Sequence, residues 1–318
     1  MTAESTDDQY LTSFVCASLL LATDISDAGV SSGRSKARER SAKMRRVRET
    51  KAAAWRELGE SEPPSAVRLW ELTAAWTTET RRELLVDLAF SDPFAPYALK
   101  FERDALLDGL RSIAPALEER PEFVDEIETV RKAATKAHSS SKFKRIGVVG
   151  FAAALALGSA GWLAAPAIAT ALGTSAGLTG AAATAHGLAI LGGGSLAAGG
   201  SGMAGGMWLV AGTAASAGVV GGSGSALMYQ LGASEARSEL IKLQVTFRIA
   251  VLGTQTDLLK AQQAISALEE LESELRGSLE HERLLNDENS DRVKVLAEKL
   301  EDLISARAWM TAEADHVA

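Results

Sequence analysis

Residues 146–234 contain no Asp, Glu, Lys or Arg: 89 consecutive positions bounded by Arg145 on one side and Glu235 on the other. A helix on the surface of a water-soluble domain presents a polar stripe along one face, and this block offers no charged one. Charge is expensive inside a bilayer, so its complete absence over such a length predicts residence in a membrane. Keeping the block in water would require flanking regions large and apolar enough to cover it, and the flanks are neither.

The charge inventory lies entirely outside the block. Residues 1–145 carry 23 Lys and Arg against 24 Asp and Glu, and residues 235–318 carry 10 against 17, so a balanced head precedes the block and an acidic tail follows it. The expected fold class is all-α: one or more integral-membrane helical hairpins with flanking soluble helical regions and a coiled-coil-like helix pair at the C-terminal end. The expected division is a cytosolic helical head (1–145), a glycine-zipper transmembrane block (146–234) and a helical tail (235–318). Cys16 is the single cysteine, which excludes an internal disulfide and any need for an oxidising compartment. The apolar run 10–22 lacks a basic leader and is shorter than the roughly 20 residues a span requires. It predicts the buried face of a soluble helix, in a head that stays on the side where it is made.

Within the head, Arg34, Lys36, Arg38, Arg40, Lys43, Arg45, Arg46, Arg48 and Lys51 form a basic stretch interrupted by Glu39 and Glu49. A solvated helix face is the plainer expectation, and contact with anionic lipid is the alternative. Pro63 and Pro64 followed by Ser65 mark a break and a helix start. Leu69, Trp70, Leu72 and Trp76 then supply one apolar face, and Leu84, Leu85, Leu88 and Phe90 another. Residues 84–92 followed by 101–110 loosely resemble the helical domains associated with tellurite-resistance proteins. Those domains usually place a glycine after the aspartate, where this chain has Pro93; the resemblance carries no function, and the aromatic residues are expected to pack in the core rather than form a site.

Within the block, a first span is expected over about residues 146–170, with Trp162 near the far interface, and a last over about 207–231, with Trp208 and Tyr229 as anchors. Residues 172–206 between them admit a third span, a re-entrant pair of half-helices or a close-packed hairpin. Basic residues flank both ends: Arg131, Lys132, Lys136, Lys142, Lys144 and Arg145 before the block, and Arg237, Lys242 and Arg248 after it. Both flanks are therefore expected in the cytoplasm, with two or four crossings, and three as the alternative.

Twenty-two of the 28 glycines fall in this block. Small residues four apart recur at Gly173/Gly177, Ser195/Gly199, Gly202/Gly206 and Gly218/Gly222. In lipid, helix association depends on close backbone approach, which such pairs permit, so self-assembly into a homo-oligomer is expected. The run GLTGAAATAHGLAILGGGSLAAGGSGMAGG, residues 177–206, resembles the glycine-zipper segments of bacterial membrane proteins of unknown role. It is also similar in texture to the interferon-inducible glycine-rich membrane proteins of animals. The resemblance covers the block alone and implies membrane insertion and a stress- or defence-linked role, with no catalytic residues.

Two motif matches in the block are refused. Gly200, Gly202 and Gly205 spell a dinucleotide-binding pattern, but no strand precedes them and no acid follows at ribose distance. Gly173, Ser175 and Gly177 spell a hydrolase elbow, but the block offers one histidine, His186, and no carboxylate. His138, His186, His281 and His316 lack the spacing of metal ligands. No catalytic residue, cofactor, metal or nucleic-acid partner is expected. The lipid bilayer is the expected partner, with His186 either an interfacial turn residue or a titratable group in the block.

In the tail, Leu258, Ile265, Leu268, Leu271, Leu275 and Leu279 recur at threes and fours, and Val293, Leu296, Leu300, Leu303 and Ile304 form a second seam after a turn near residues 286–289. Gly253 and Gly277 are candidate kinks. A helical hairpin follows, whose seam also admits a coiled-coil protein partner. Pairing of the acidic tail with the basic stretch 34–51 would be one way to hold the block in check. The expected activity is membrane perturbation or pore formation by a non-enzymatic protein, and the alternative is a membrane scaffold that recruits partners.

Overall fold

The computed structural model describes residues 3–28, 34–94, 99, 101–138, 232–254 and 258–317. The head contains α1 (Ala3–Ala28), α2 (Arg34–Glu57), α3 (Ala66–Thr73), α4 (Thr78–Phe90), α5 (Arg103–Ile113), a 3-10 turn at Ala114–Leu117 and α6 (Phe123–Ala137). The tail contains α7 (Ala233–Thr246), a π-helical turn at Phe247–Val251 that runs on through Leu252–Thr254, α8 (Leu258–Leu285) and α9 (Asp291–Val317). Among the described residues the fold is all-α, with no strand.

Local chemistry sets the helix limits. After Pro63 and Pro64, Ser65 takes an extended conformation and its hydroxyl accepts from the Arg68 N–H at 3.1 Å, a cap worth about 1 kcal/mol. Thr77 caps α4 in the same way, accepting from the Thr80 N–H at 3.2 Å. Gly59, at φ +82°, turns the chain away after α2 in the left-handed conformation that glycine adopts without strain. Pro93 lies inside a turn closed by the Phe94 N–H donating to the Asp92 carboxylate at 2.8 Å, so a side-chain turn stands where the resembling domains have a glycine.

The run 10–22 is the buried face of α1, as expected: Tyr10, Phe14, Cys16, Ala17, Leu19, Leu21 and Ala22 are all buried. α5 lies close against it. A Cβ at Gly109 would come within 3.0 Å of the Leu21 side chain. Trp70, which is exposed, departs from the expected α3 face, and so does Trp76. The latter lies beyond Thr73 in a turn and stacks on Tyr10 with ring centroids 5.2 Å apart.

The tail packs into the head through α7. Ile241, Val245 and Ile249 join the head core, whereas Ala236, Leu240 and Phe247 join the core built by α8 and α9. The first set recurs every four residues along one stripe and the second occupies another, so α7 is buried on two sides. The predicted hairpin is present: Leu268, Leu271, Leu275 and Leu279 of α8 share a core with Val293, Leu296 and Leu303 of α9. Leu258 and Ile304, expected in the seams, are exposed instead. Gly277 sits within an uninterrupted α8, whereas Gly253 follows the π turn.

Among the described residues no helix is long and apolar enough to cross a membrane. The block lies outside them except for its last three residues, of which Ala233 and Ser234 already belong to α7. The predicted packing positions Gly173, Gly177, Ser195, Gly199, Gly202, Gly206, Gly218 and Gly222 are therefore outside the described residues, as are Lys142, Lys144, Arg145, Trp162, Trp208, Tyr229 and His186.

Candidate functional site

The described chain stops at His138, one residue beyond α6, and resumes at Gly232, one residue before α7. The helices on either side, α6 and α7, pack on each other and both reach α9. The His138 side chain is 1 % exposed, with Nδ1 3.1 Å from Asp302 Oδ1 on α9 and Nε2 2.8 Å from Gln244 Oε1 on α7. The second oxygen of Asp302 accepts from Arg237 Nε of α7 at 2.8 Å. One buried carboxylate thus holds a side chain from each end of the uncharged block.

The protonation pattern follows from the partners. A carboxylate only accepts, so His138 Nδ1 carries a hydrogen. Nε2 faces the Gln244 side-chain amide, which donates to it when turned over. The Gln244 amide nitrogen has no hydrogen-bond partner among the described residues, and the turned amide gives it one.

The opposite side of α7 is tied to the head by a second polar cluster. Lys242 Nζ lies 2.7 Å from Asp87 Oδ1 of α4, and the Tyr10 hydroxyl donates to Asp87 Oδ2 at 2.7 Å. Burial raises the Tyr10 pKa, and the Asp87 charge adds to it. Burial also disfavours the Lys242 cation, but Asp87 and Glu239 outweigh it and raise the pKa. Burial pushes the Glu239 carboxyl up, and pushes Glu83 up to about 8 with help from Asp87 and Glu79. At the rim, Lys260 reaches Glu79 at 2.8 Å and Arg82 donates to the Gly253 carbonyl at 2.8 Å. These tail-to-head ion pairs run opposite in sense to the expected one, with the cation on the tail and the carboxylate on α4.

A third knot stiffens α6. Glu128 accepts from Arg131 at 2.6 Å and from Arg103 at 2.9 Å. Burial alone would raise its pKa, but the two guanidinium groups prevail and hold it at about 2.

The Glu83 shift has a pH consequence with a definite sign. A carboxyl raised above its unfolded value favours the fold only while it is protonated, so stability falls as pH rises from about 4.5 towards about 8. Glu83→Gln stays neutral throughout. Its thermal stability should equal the parent's near pH 4.5 and exceed it by about 2 kcal/mol at pH 8.5, a figure reduced for the partial water contact of the side chain. A constant difference across that range in a calorimetric pH series would show that folding leaves the Glu83 carboxyl unshifted.

The flanking cations from which both flanks are expected in the cytoplasm are engaged in the fold where they are described. Lys242 is buried in the Asp87 pair, Arg237 is committed to Asp302, Arg131 to Glu128, and Arg248 lies 3.0 Å from Glu313. Arginines at these positions serve the fold, and Lys242 is internal. The sequence carried no sign of the junction beyond the placement of His138 at the end of a periodic helix, because Asp302 lies 164 residues away.

Nothing among these groups is an activated nucleophile. Burial pushes the Cys16 thiol up to about 12, the reverse of what a reactive thiolate needs. Among the described residues no three His, Cys, Asp or Glu side chains are grouped to hold a metal. Comparison of the chain with protein-family models, curated proteins and solved structures gives no match. The fold and the junction define a class: an all-α body in which two helices tied to one carboxylate bracket a long uncharged segment.

Proposed function

We propose that this is an integral membrane protein whose glycine-zipper block self-assembles and perturbs or permeabilises a membrane, as a stress or defence effector, with the helical body as its brake. The observation that carries the proposal is the uncharged stretch of 89 residues, whose flanks converge on His138, Asp302 and Arg237. Flanks held together at one junction accord with an even number of crossings, both termini on the cytoplasmic side and a homo-oligomer formed through the block. The action requires no cofactor and no catalytic group.

Membrane association is tested by extraction. The full-length protein should remain with membranes through alkaline carbonate, and its recovery in the aqueous fraction without detergent would end the proposal. Topology is tested separately. Reporters inserted after Arg145 and after Arg248 should both read cytoplasmic, and opposite readings would establish an odd number of spans.

A scaffold that recruits partners to a membrane is favoured by one specific feature. At the tip of the α8–α9 hairpin, Leu284 and Leu285 are 85 % and 66 % exposed. Apolar side chains at such a tip suit a helical partner. A parent protein that never causes vesicle leakage would put this reading first.

A further inference from the structure

Charge is segregated sharply in this chain, and one helix holds ten of its 33 Lys and Arg. α2 carries ten Lys and Arg against three Glu, a net of +7 in a chain of −8. Its inner stripe is settled: Met44, Val47 and Trp55 are buried in the head core, where α2 covers α1. Lys51, on the same stripe, donates to the Ser18 hydroxyl of α1. Burial lowers its pKa to about 8, and the charge of Asp92 opposes the fall. The outer side is different in kind. Arg45, Arg46 and Arg48 are exposed there, Arg48 with a contact of its own, and Glu49 makes only a long, open contact of 3.8 Å with Arg45, both side chains two-thirds exposed or more. Such a pair neutralises little in water.

We propose that the outer face of α2 docks on an anionic lipid surface, the headgroups of the leaflet beside which the helical body lies. The proposal rests on the membrane reading for its choice of anion. A cationic helix face beside an inserted segment meets phosphate and carboxylate headgroups at high local density, and each cation near such a surface contributes about 1 kcal/mol, roughly fivefold in association. Anchoring through an outer helix also leaves the junction at His138 and Asp302 free to open without releasing the body from the membrane.

The test uses the full chain with a fluorophore on Ser41→Cys, an exposed α2 position, the native Cys16 being fully buried. Vesicles of phosphatidylcholine, with or without phosphatidylserine, carry a quencher in the headgroup layer. Quenching should appear with phosphatidylserine, recede as salt is raised, and need about a hundredfold more phosphatidylserine surface in Arg45→Gln/Arg46→Gln/Arg48→Gln. That variant should stay folded, with stability changed by no more than about 1 kcal/mol, since all three side chains are exposed and contacts of exposed arginines are weak. Equal quenching on phosphatidylcholine alone, or parent-like quenching by the triple variant, would overturn the proposal. A stronger response to duplex DNA than to phosphatidylserine at equal phosphate concentration would overturn it in favour of nucleic acid. Carbonate resistance, read in parallel, keeps the two readings apart. Its loss with quenching retained removes the inserted block and leaves α2 on an anionic surface, whereas its retention without quenching does the reverse.

Discussion

Replacing Asp302 by alanine should destabilise the helical body by about 3 kcal/mol, at the lower end of what removing one partner from a buried charged contact costs. The carboxylate is 2 % exposed and accepts from both His138 and Arg237. Without it the His138 Nδ1–H keeps no acceptor in a site closed to water, and Arg237, about a quarter exposed, loses its buried ion pair. The expected loss exceeds that of an ordinary neutral hydrogen bond because two donors are stranded at once. Glu301→Ala, one residue earlier on the exposed side of α9, is the control and should change stability by less than about 0.5 kcal/mol. The functional readout is vesicle leakage. If the junction is the brake, Asp302→Ala should leak dye under conditions in which the parent holds it, while remaining bound to the membrane. Destabilisation without any change in leakage would confine Asp302 to a structural role and remove the brake from the proposal.

The two sets of contacts on α7 explain why the sequence announced some of this fold and concealed the rest. Elements whose burial follows one period were legible. The faces at Leu69 and Leu84 and the α8–α9 seams repeat at threes and fours and are buried for the most part, with Trp70, Leu258 and Ile304 left exposed, and the apolar run 10–22 is buried almost throughout. α7 has apolar residues on two stripes with Arg237, Glu239, Lys242 and Gln244 between them, a pattern that looks like a weakly amphipathic surface helix until both of its partners are known. Lys242 illustrates the difficulty. Next to an uncharged block, a lysine suggests a headgroup contact, and only the fold brings Asp87 to within 2.7 Å of it. The junction is harder still, since His138, Gln244 and Asp302 share no local pattern and are joined only by tertiary packing. The basic stretch was visible as composition, and the fold added which side of α2 is committed to α1.

The last expected result concerns the block itself. Replacing Gly202 and Gly206 by leucine adds bulk at two positions four residues apart, where helix backbones are expected to meet. Insertion should persist, because leucine favours the bilayer interior more than glycine does. Close packing should not persist. Contacts of this kind between helices in lipid are worth about 1–2 kcal/mol, a cost repeated at every subunit boundary of an oligomer. Cross-linked oligomers should therefore fall by tenfold or more while carbonate resistance is retained, and leakage should fall with them, most visibly in the Asp302→Ala background, where the brake is released. Gly277→Leu is the control: a Cβ there meets nothing within 4 Å, so added bulk on α8 should leave both oligomers and leakage unchanged. Oligomers and leakage that both survive the paired substitution would place the assembly interface away from Gly202 and Gly206. Loss of oligomers with leakage intact would show that a single inserted chain disturbs the bilayer, and that self-assembly is not part of the activity.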